Sequence, residues 1–173
     1  MKKIILIILV ITMTFLYGCN KNTENQFEIY LVVEEAVDIN QLTLKETPIL
    51  TSNDILKYYW DEQVFVTKKG LISERILSQT DQYVPVSGLP YVVVVNGERI
   101  YMGKFWTVVS SAWPFSPSIM VETAMDVDLE RFDVQDNQKL YSIYWNTDDT
   151  ETRNIIFDER IYNVLKQNNL LSK

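Results

Sequence analysis

Histidine is absent from this sequence of 173 residues, cysteine occurs once, and glycine and proline occur only five times each. Without histidine, triads of the Ser-His-Asp type, Cys–His proteases and ordinary zinc sites are excluded. An enzyme built from this chain would have to use carboxylates, Ser–Lys pairs, tyrosine or a hard cation bound through oxygen. We therefore predict that the protein holds neither a cofactor nor a metal ion.

The first nineteen residues have the pattern of an export signal. Lys2 and Lys3 precede an apolar run over residues 4–16, and residues 16–19 read LYGC. A positive start, an apolar run and a small residue before the cleavage point are typical of secretory signals. The run is shorter than the ~20 apolar residues of a spanning helix. An uncleaved membrane anchor is the alternative.

The LYGC segment resembles the lipobox of bacterial lipoproteins. The resemblance implies that Cys19 receives a diacylglycerol thioether and becomes the first residue of the mature protein. A lone exposed thiol in an exported protein would otherwise be a liability. Two or more acyl chains hold a protein stably on a bilayer, whereas one does so only marginally. We expect a lipid-anchored protein on the extracytoplasmic face of the cell membrane.

The remaining chain is acidic. Removal of residues 1–18 takes away two of the 16 basic residues and none of the 23 acidic ones, which leaves a formal charge of −9. Such a surface repels nucleic acid and anionic lipid headgroups, so we expect neither as a ligand. A hydrophobic content of 47% is enough for a core. We predict a signal peptide at 1–18, a polar tether at 19–26 and a single domain at 27–173.

Alternating and apolar runs predict most of the secondary structure. Strands are expected at 27–33, 63–67, 91–95, 98–105, 118–122, 139–146 and 154–157. Helices are expected at 71–78 and at 159–170, the second with Asp158 as N-cap. A short helix should start at Thr51, with Asp54 completing a capping box, and carry Ile55, Leu56 and Tyr59 inward.

The clearest local signal is a hairpin with the sequence YVVVV-NG-ERIYMGKF. Asn96 and Gly97 can both take positive φ, as a type I′ turn requires. The first arm is continuously apolar and should be buried on both faces. The second arm alternates imperfectly and should be more exposed.

Residues 48–55 (PILTSNDI), 64–70 (VFVTKKG) and 91–100, in this order of elements, resemble the head part of the exported domain of SecD, a protein-export membrane subunit. The resemblance covers residues 27–122 and leaves 123–173 as a C-terminal strand–helix extension. The chain lacks the transmembrane segments of that family, and the family head has no catalytic residue to carry over. The resemblance implies an α+β fold, with helices on one face of a mixed, mainly antiparallel sheet.

The loop at 106–117 (WTVVSSAWPFSP) is the candidate binding surface. Loops run over the surface, so uncovered apolar side chains there would mark a contact for a partner. The candidate residues are Trp106, Val108, Val109, Trp113 and Phe115. In the alternative, Trp113 and Phe115 fold back and cover the core.

The acidic stretch at 126–133 allows a calcium interpretation, because alternate carboxylates can converge on a hard cation. An EF-hand loop needs glycine at its sixth position and glutamate at its twelfth, where this chain has Arg131 and Asn137. An edge segment with one solvated face has the same pattern, and we predict no metal site.

Function is predicted from these constraints as non-catalytic binding by a membrane-anchored lipoprotein. The expected partner is a protein or peptide, bound by the aromatic loop or added as a strand to a sheet edge. A small carboxylate-based hydrolase and a structural partner of another envelope protein are the alternatives.

Overall fold

Ten strands form one mixed sheet in the part of the chain that the structure describes. This structure is a computed structural model, and it describes residues 25–34, 36–112, 117–122 and 129–172. The strands are β1 (Phe27–Glu34), β2 (Thr43–Leu44), β3 (Leu50–Thr51), β4 (Lys57–Tyr59), β5 (Val64–Lys68), β6 (Leu89–Val95), β7 (Glu98–Trp106), β8 (Ser118–Met120), β9 (Gln138–Tyr144) and β10 (Leu171–Ser172). The helices are α1 (Leu71–Thr80), α2 (Thr150–Ile156) and α3 (Glu159–Gln167), with one-turn 3-10 helices at Ile39–Gln41, Ser52–Asp54 and Leu129–Arg131.

The strand order is β10-β4-β5-β9-β8-β7-β6-β1-β2, with β3 paired to the start of β1. The pairs β7–β8 and β4–β10 are parallel, and the other pairs among the described strands are antiparallel. The predicted α+β fold with a mixed, mainly antiparallel sheet is therefore confirmed.

The β6–β7 hairpin has the longest run of paired residues in the sheet. The two turn residues explain where the chain reverses direction. Asn96 has φ 52° and Gly97 has φ 82°, as the predicted type I′ turn requires. Residues 91–95 are all buried, whereas β7 begins exposed and becomes buried towards Trp106. The predicted difference between the two arms is confirmed.

One face of the sheet carries all three helices. Alternate residues of the central strands, such as Ile29, Val93 and Phe105, point into the main core on this face. The helices cover them with side chains at helical spacing: Ile72 and Ile76 of α1, Ile156 of α2, and Ile161, Val164 and Leu165 of α3. The predicted packing of the helices on one face of the sheet is thus confirmed.

Irregular segments cover much of the opposite face. Residues 36–44 pack Leu42 onto Val32, Val92 and Val94 at one end of the sheet. Near the other end, Phe132 packs edge-on against Tyr59 at 4.6 Å between ring centroids, over Val64 and Leu140. On this face, loop segments therefore cover the sheet in place of a second layer of helices or strands.

Three predictions of local structure were wrong. The helix at Thr51 lasts one 3-10 turn before β4 begins, and Leu56 is 43% exposed rather than buried. Residues 154–156 belong to α2 and Phe157 follows it, so no strand forms there, because Asp149 accepts hydrogen bonds from the N–H groups of Glu151 and Thr152 and starts a helix. The helix α3 ends at Gln167, which frees the chain to form the unpredicted strand β10.

Candidate functional site

Two loops meet at one end of the β6–β7 hairpin and expose apolar side chains. Val86 lies just before β6 and is 60% exposed, while Val108 and Val109 follow β7 and are 55% and 73% exposed. We call these three valines the uncharged lip. The Ser110 hydroxyl joins the loops by donating to the Val86 carbonyl oxygen at 2.8 Å.

The uncharged lip rests on a buried support. Trp106 is only 2% exposed. A Cβ added to Gly88 would lie 2.5 Å from two carbons of the Trp106 ring, and Gly88 also has φ +79°. Only glycine allows this close approach with this backbone conformation, so the path of the loop before β6 is set by Gly88 on Trp106.

Glu122 holds the other loop in place. Its carboxylate accepts a hydrogen bond from the Thr107 hydroxyl at 2.5 Å and one from the Val108 backbone N–H at 3.3 Å. Lys139 lies nearby and donates to the Val121 carbonyl oxygen at 2.5 Å. Burial lowers the pKa of Lys139, and the Glu122 charge opposes that shift. Val108 and Val109 therefore lie on a turn that the Glu122 carboxylate holds in place.

The predicted binding residues separate into two roles. Val108 and Val109 are exposed, as a contact surface requires, whereas Trp106 lies inside and supports them. Trp113, Phe115 and the predicted lipidation site Cys19 lie outside the described residues. The structure therefore retains Val108 and Val109 as candidate contacts and assigns Trp106 to the support.

Val86 was missed, although the sequence contains a signal for it. No charged residue occurs between Asp81 and Glu98, and none between Lys104 and Glu122. The first stretch includes β6 and the second begins at the end of β7, where Phe105 pairs with Leu89, so the loops beyond this pair lie side by side. An exposed loop without charge, next to a second one, is unusual in a chain with 23% charged residues.

Three carboxylates with shifted pKa values serve the fold. Burial opposes ionisation of Asp54, but hydrogen bonds from Arg75 and Thr51 outweigh it and lower the pKa. Hydrogen bonds also lower the pKa values of Asp149, from Thr152, and of Asp158, from Arg160. A general acid needs the opposite shift, so these three groups do not have the character of a hydrolase acid.

Two shallow depressions adjoin each other beside α1, with volumes of about 410 and 470 Å³, and share Thr47 and Gln79 in their walls. Within the described ranges, no three acidic or thiol side chains come together as a metal site. Of the acidic stretch, Asp126 and Asp128 lie outside those ranges, and Asp133 pairs with Lys57 at 3.1 Å.

The edges of the sheet are short. The strands β2 and β10 stand at the two ends of the strand order and have two residues each. Very short edge strands are a common protection against strand addition. The uncharged lip is consequently a better candidate surface than either edge.

No protein-family model matches the chain, and no curated protein or solved structure is significantly similar to it. The resemblances to a lipobox and to the SecD head therefore stay predictions. None of the helices in the described ranges has the length and apolar character needed to cross a bilayer.

Proposed function

We propose that the protein is a lipid-anchored, extracytoplasmic interaction module that binds a protein partner through the uncharged lip and has no catalytic activity. The observation that carries the proposal is the exposure of Val86, Val108 and Val109 on two joined loops. Exposed apolar side chains grouped in this way are typical of interaction surfaces.

The bracing of the lip supports a binding role. Glu122 fixes the turn that bears Val108, and Gly88 on Trp106 fixes the loop that bears Val86. A surface that is ordered before binding loses less conformational entropy when the partner arrives. Apolar side chains held in one position are thus suited to specific contact.

The anchoring part of the proposal is tested by the variant Cys19→Ser. Mass spectrometry of the membrane-purified wild type should show a mature chain that starts at a diacylated Cys19. The variant should keep its leader and carry no lipid. Wild-type protein with an intact leader, or with an unmodified sulfur at Cys19, would contradict the anchoring.

The binding part is tested by a photoreactive amino acid placed at position 109 in intact cells. Cross-linking should give one main protein adduct, and the double substitution Val108→Ser with Val86→Ser should weaken binding of the identified partner by about tenfold or more, which corresponds to about 1.4 kcal/mol or more for the two contact residues together. Val37, which is fully exposed outside the lip, provides the matched control Val37→Ser. Equal effects at Val37, or hydrolytic activity of the purified chain, would contradict the proposal.

A further inference from the structure

We infer that the uncharged lip points away from the anchoring membrane and that its occupant is a protein partner with an uncharged, apolar contact segment, located beyond the domain. This inference rests on the proposed anchoring and lip. It adds the side on which the partner lies, and it excludes the bilayer itself as the occupant.

Strand register places the chain start and the lip at opposite ends of three neighbouring strands. Phe27 of β1 pairs with Val95 of β6, and Val95 pairs with Glu98 of β7. At the other end, Leu89 pairs with Phe105, and the lip loops lie just beyond this pair. Six residue steps separate these ends, which is roughly 20 Å along a strand at ~3.3 Å per residue.

The start of the described chain is pinned to its end of the sheet. The Gln26 N–H donates to the Asn96 side-chain oxygen at 2.8 Å, and the Asn96 N–H donates to the Gln26 carbonyl oxygen at 2.9 Å. The side-chain amide of Asn168, after α3, donates to the Asn25 carbonyl oxygen at 2.7 Å. The tether therefore leaves the domain beside the hairpin turn.

The tether is short compared with the domain. Only six residue steps separate Cys19 from Asn25, and they span at most about 20 Å in any conformation. The lip lies at the far ends of the strands and beyond, at roughly 25 Å or more from Asn25 by the same rise per residue. At full extension the tether does not span the length of the domain, so we expect the lip end to lie farther from the bilayer than the chain start.

The chemistry of the partner follows from the lip. Val86, Val108 and Val109 lie among serine and threonine side chains in two stretches without a charged residue. A charged segment docked on the three valines would lose hydration, because their side chains offer no ion pair and the nearby Glu122 carboxylate already accepts hydrogen bonds from Thr107 and Val108. An apolar segment bordered by neutral hydrogen-bonding groups is the chemistry that this surface fits.

Orientation is measured with the full lipidated protein in phosphatidylcholine vesicles. Cys19 is the only cysteine and is consumed by the lipid, so an introduced cysteine is the only free thiol. Ser111→Cys labels the lip end and Gln167→Cys labels the end near Asn25; both positions are exposed. With acceptor fluorophores on the lipid headgroups, energy transfer from position 167 should be several times higher than from position 111. A Gly/Ser insertion within residues 20–24 should reduce this difference.

Equal transfer from both positions would overturn the inference, because the domain would then lie flat on the bilayer. A photoreactive group at position 109 in intact cells provides the second measurement: a protein adduct is expected, whereas a phospholipid adduct, or an adduct to a second copy of the chain, would contradict the proposed occupant. Wild-type protein without lipid on Cys19 would instead remove the proposed function itself, so the two failures are distinguishable.

Discussion

At the scale of single residues, the hydroxyls of two buried tyrosines differ in their hydrogen bonding. Tyr58 donates to the Gln63 side-chain oxygen at 2.6 Å, and the Gln63 amide donates to the Trp60 carbonyl oxygen at 3.0 Å. The Tyr141 hydroxyl is buried and has no partner within the described residues. An unmade hydrogen bond in a core costs free energy that a made one does not.

We therefore predict opposite outcomes for the same substitution at these two positions. Tyr141→Phe should leave the free energy of unfolding unchanged or raise it, because it removes an unsatisfied hydroxyl. Tyr58→Phe should lower it by about 1–2 kcal/mol, because the Gln63 oxygen loses its partner. Urea unfolding of both variants and the wild type measures this difference, and a larger loss for Tyr141→Phe would contradict it.

Asp54 leads to a second prediction at this scale. Arg75 binds its two oxygens at 2.6 and 2.8 Å, and the Thr51 N–H adds a bond at 2.8 Å. Asp54→Asn should lower the free energy of unfolding at neutral pH by about 1–3 kcal/mol, as for other hydrogen bonds to charged groups. The matched control is Asp133→Asn, in the exposed pair with Lys57, which should change the free energy of unfolding much less, because exposed ion pairs contribute little.

The pH dependence of the Asp54 effect follows from the sign of its shift. Its pKa is lowered in the folded state, so its contribution is fully present above the ordinary aspartate value of about 3.9 and is lost as the pH falls through the lowered pKa. The difference between the wild type and Asp54→Asn should therefore shrink in acid below about pH 4. Urea unfolding at several pH values measures this difference. If Asp54 did not cause it, the free energies of unfolding of the two proteins would differ by the same amount at every pH.

At the scale of elements, the sequence predicted what depends on local signals. The hairpin is specified by Asn96 and Gly97 together with the apolar arm before them, and α3 by the Asp158 N-cap. The prediction of a strand at 154–157 was wrong because a short apolar run fits a strand or a helix equally well. The strand β10 was missed because it pairs with Tyr58 and Tyr59 of β4, more than a hundred residues earlier.

The candidate site could likewise be predicted only in part from the sequence. Exposure of Val108 and Val109 could be predicted from their loop, but burial of Trp106 depends on its contact with Gly88 across the β6–β7 ladder. Likewise, the Ser110 hydroxyl links the loop that bears Val86 to the loop that bears Val108 and Val109. Contacts between distant segments therefore decide which residues of a loop remain outside.

The two glycines at the ends of the hairpin give a prediction at the element scale. Gly97 has φ +82° with open space around it, so Gly97→Ala should cost about 1–2 kcal/mol from backbone conformation alone. Gly88→Ala adds an overlap with the Trp106 ring, which should cost about 1–3 kcal/mol more. Thermal unfolding compares the two, and the near-ultraviolet signal of tryptophan should change only in Gly88→Ala. Equal losses of stability in the two variants would indicate that the Trp106 ring moves aside freely.

At the scale of the whole molecule, four tyrosines lie buried in the main core of the described residues. Burial raises the pKa of Tyr141 to about 12 and raises the pKa values of Tyr58, Tyr91 and Tyr101 as well. These groups stay protonated in the fold, whereas the unfolded chain ionises them near pH 10. A raised pKa contributes stability that is present below the unfolded value and lost as the pH rises above it.

We accordingly predict alkaline unfolding that is coupled to tyrosine ionisation. Exposed tyrosines such as Tyr83 should ionise first, near pH 10, and the rise in phenolate absorbance from the buried tyrosines should coincide with loss of the helical circular dichroism signal. The two signals should separate if the tyrosines were accessible in the folded state. The Tyr141→Phe variant, which lacks one such group, should unfold at a slightly higher pH.

The opposite placement of the chain start and the lip has a mechanical consequence. A pull between a held partner and the membrane would draw β1 from its first residue and β6 from the far end, so five registered residue pairs from Phe27 to Leu31 would slide past one another together. Hydrogen bonds loaded in shear break as a group, whereas those at a peeled edge break one at a time. Force spectroscopy that pulls from Cys19 and position 111 should therefore show a higher rupture force than pulling from the two chain ends.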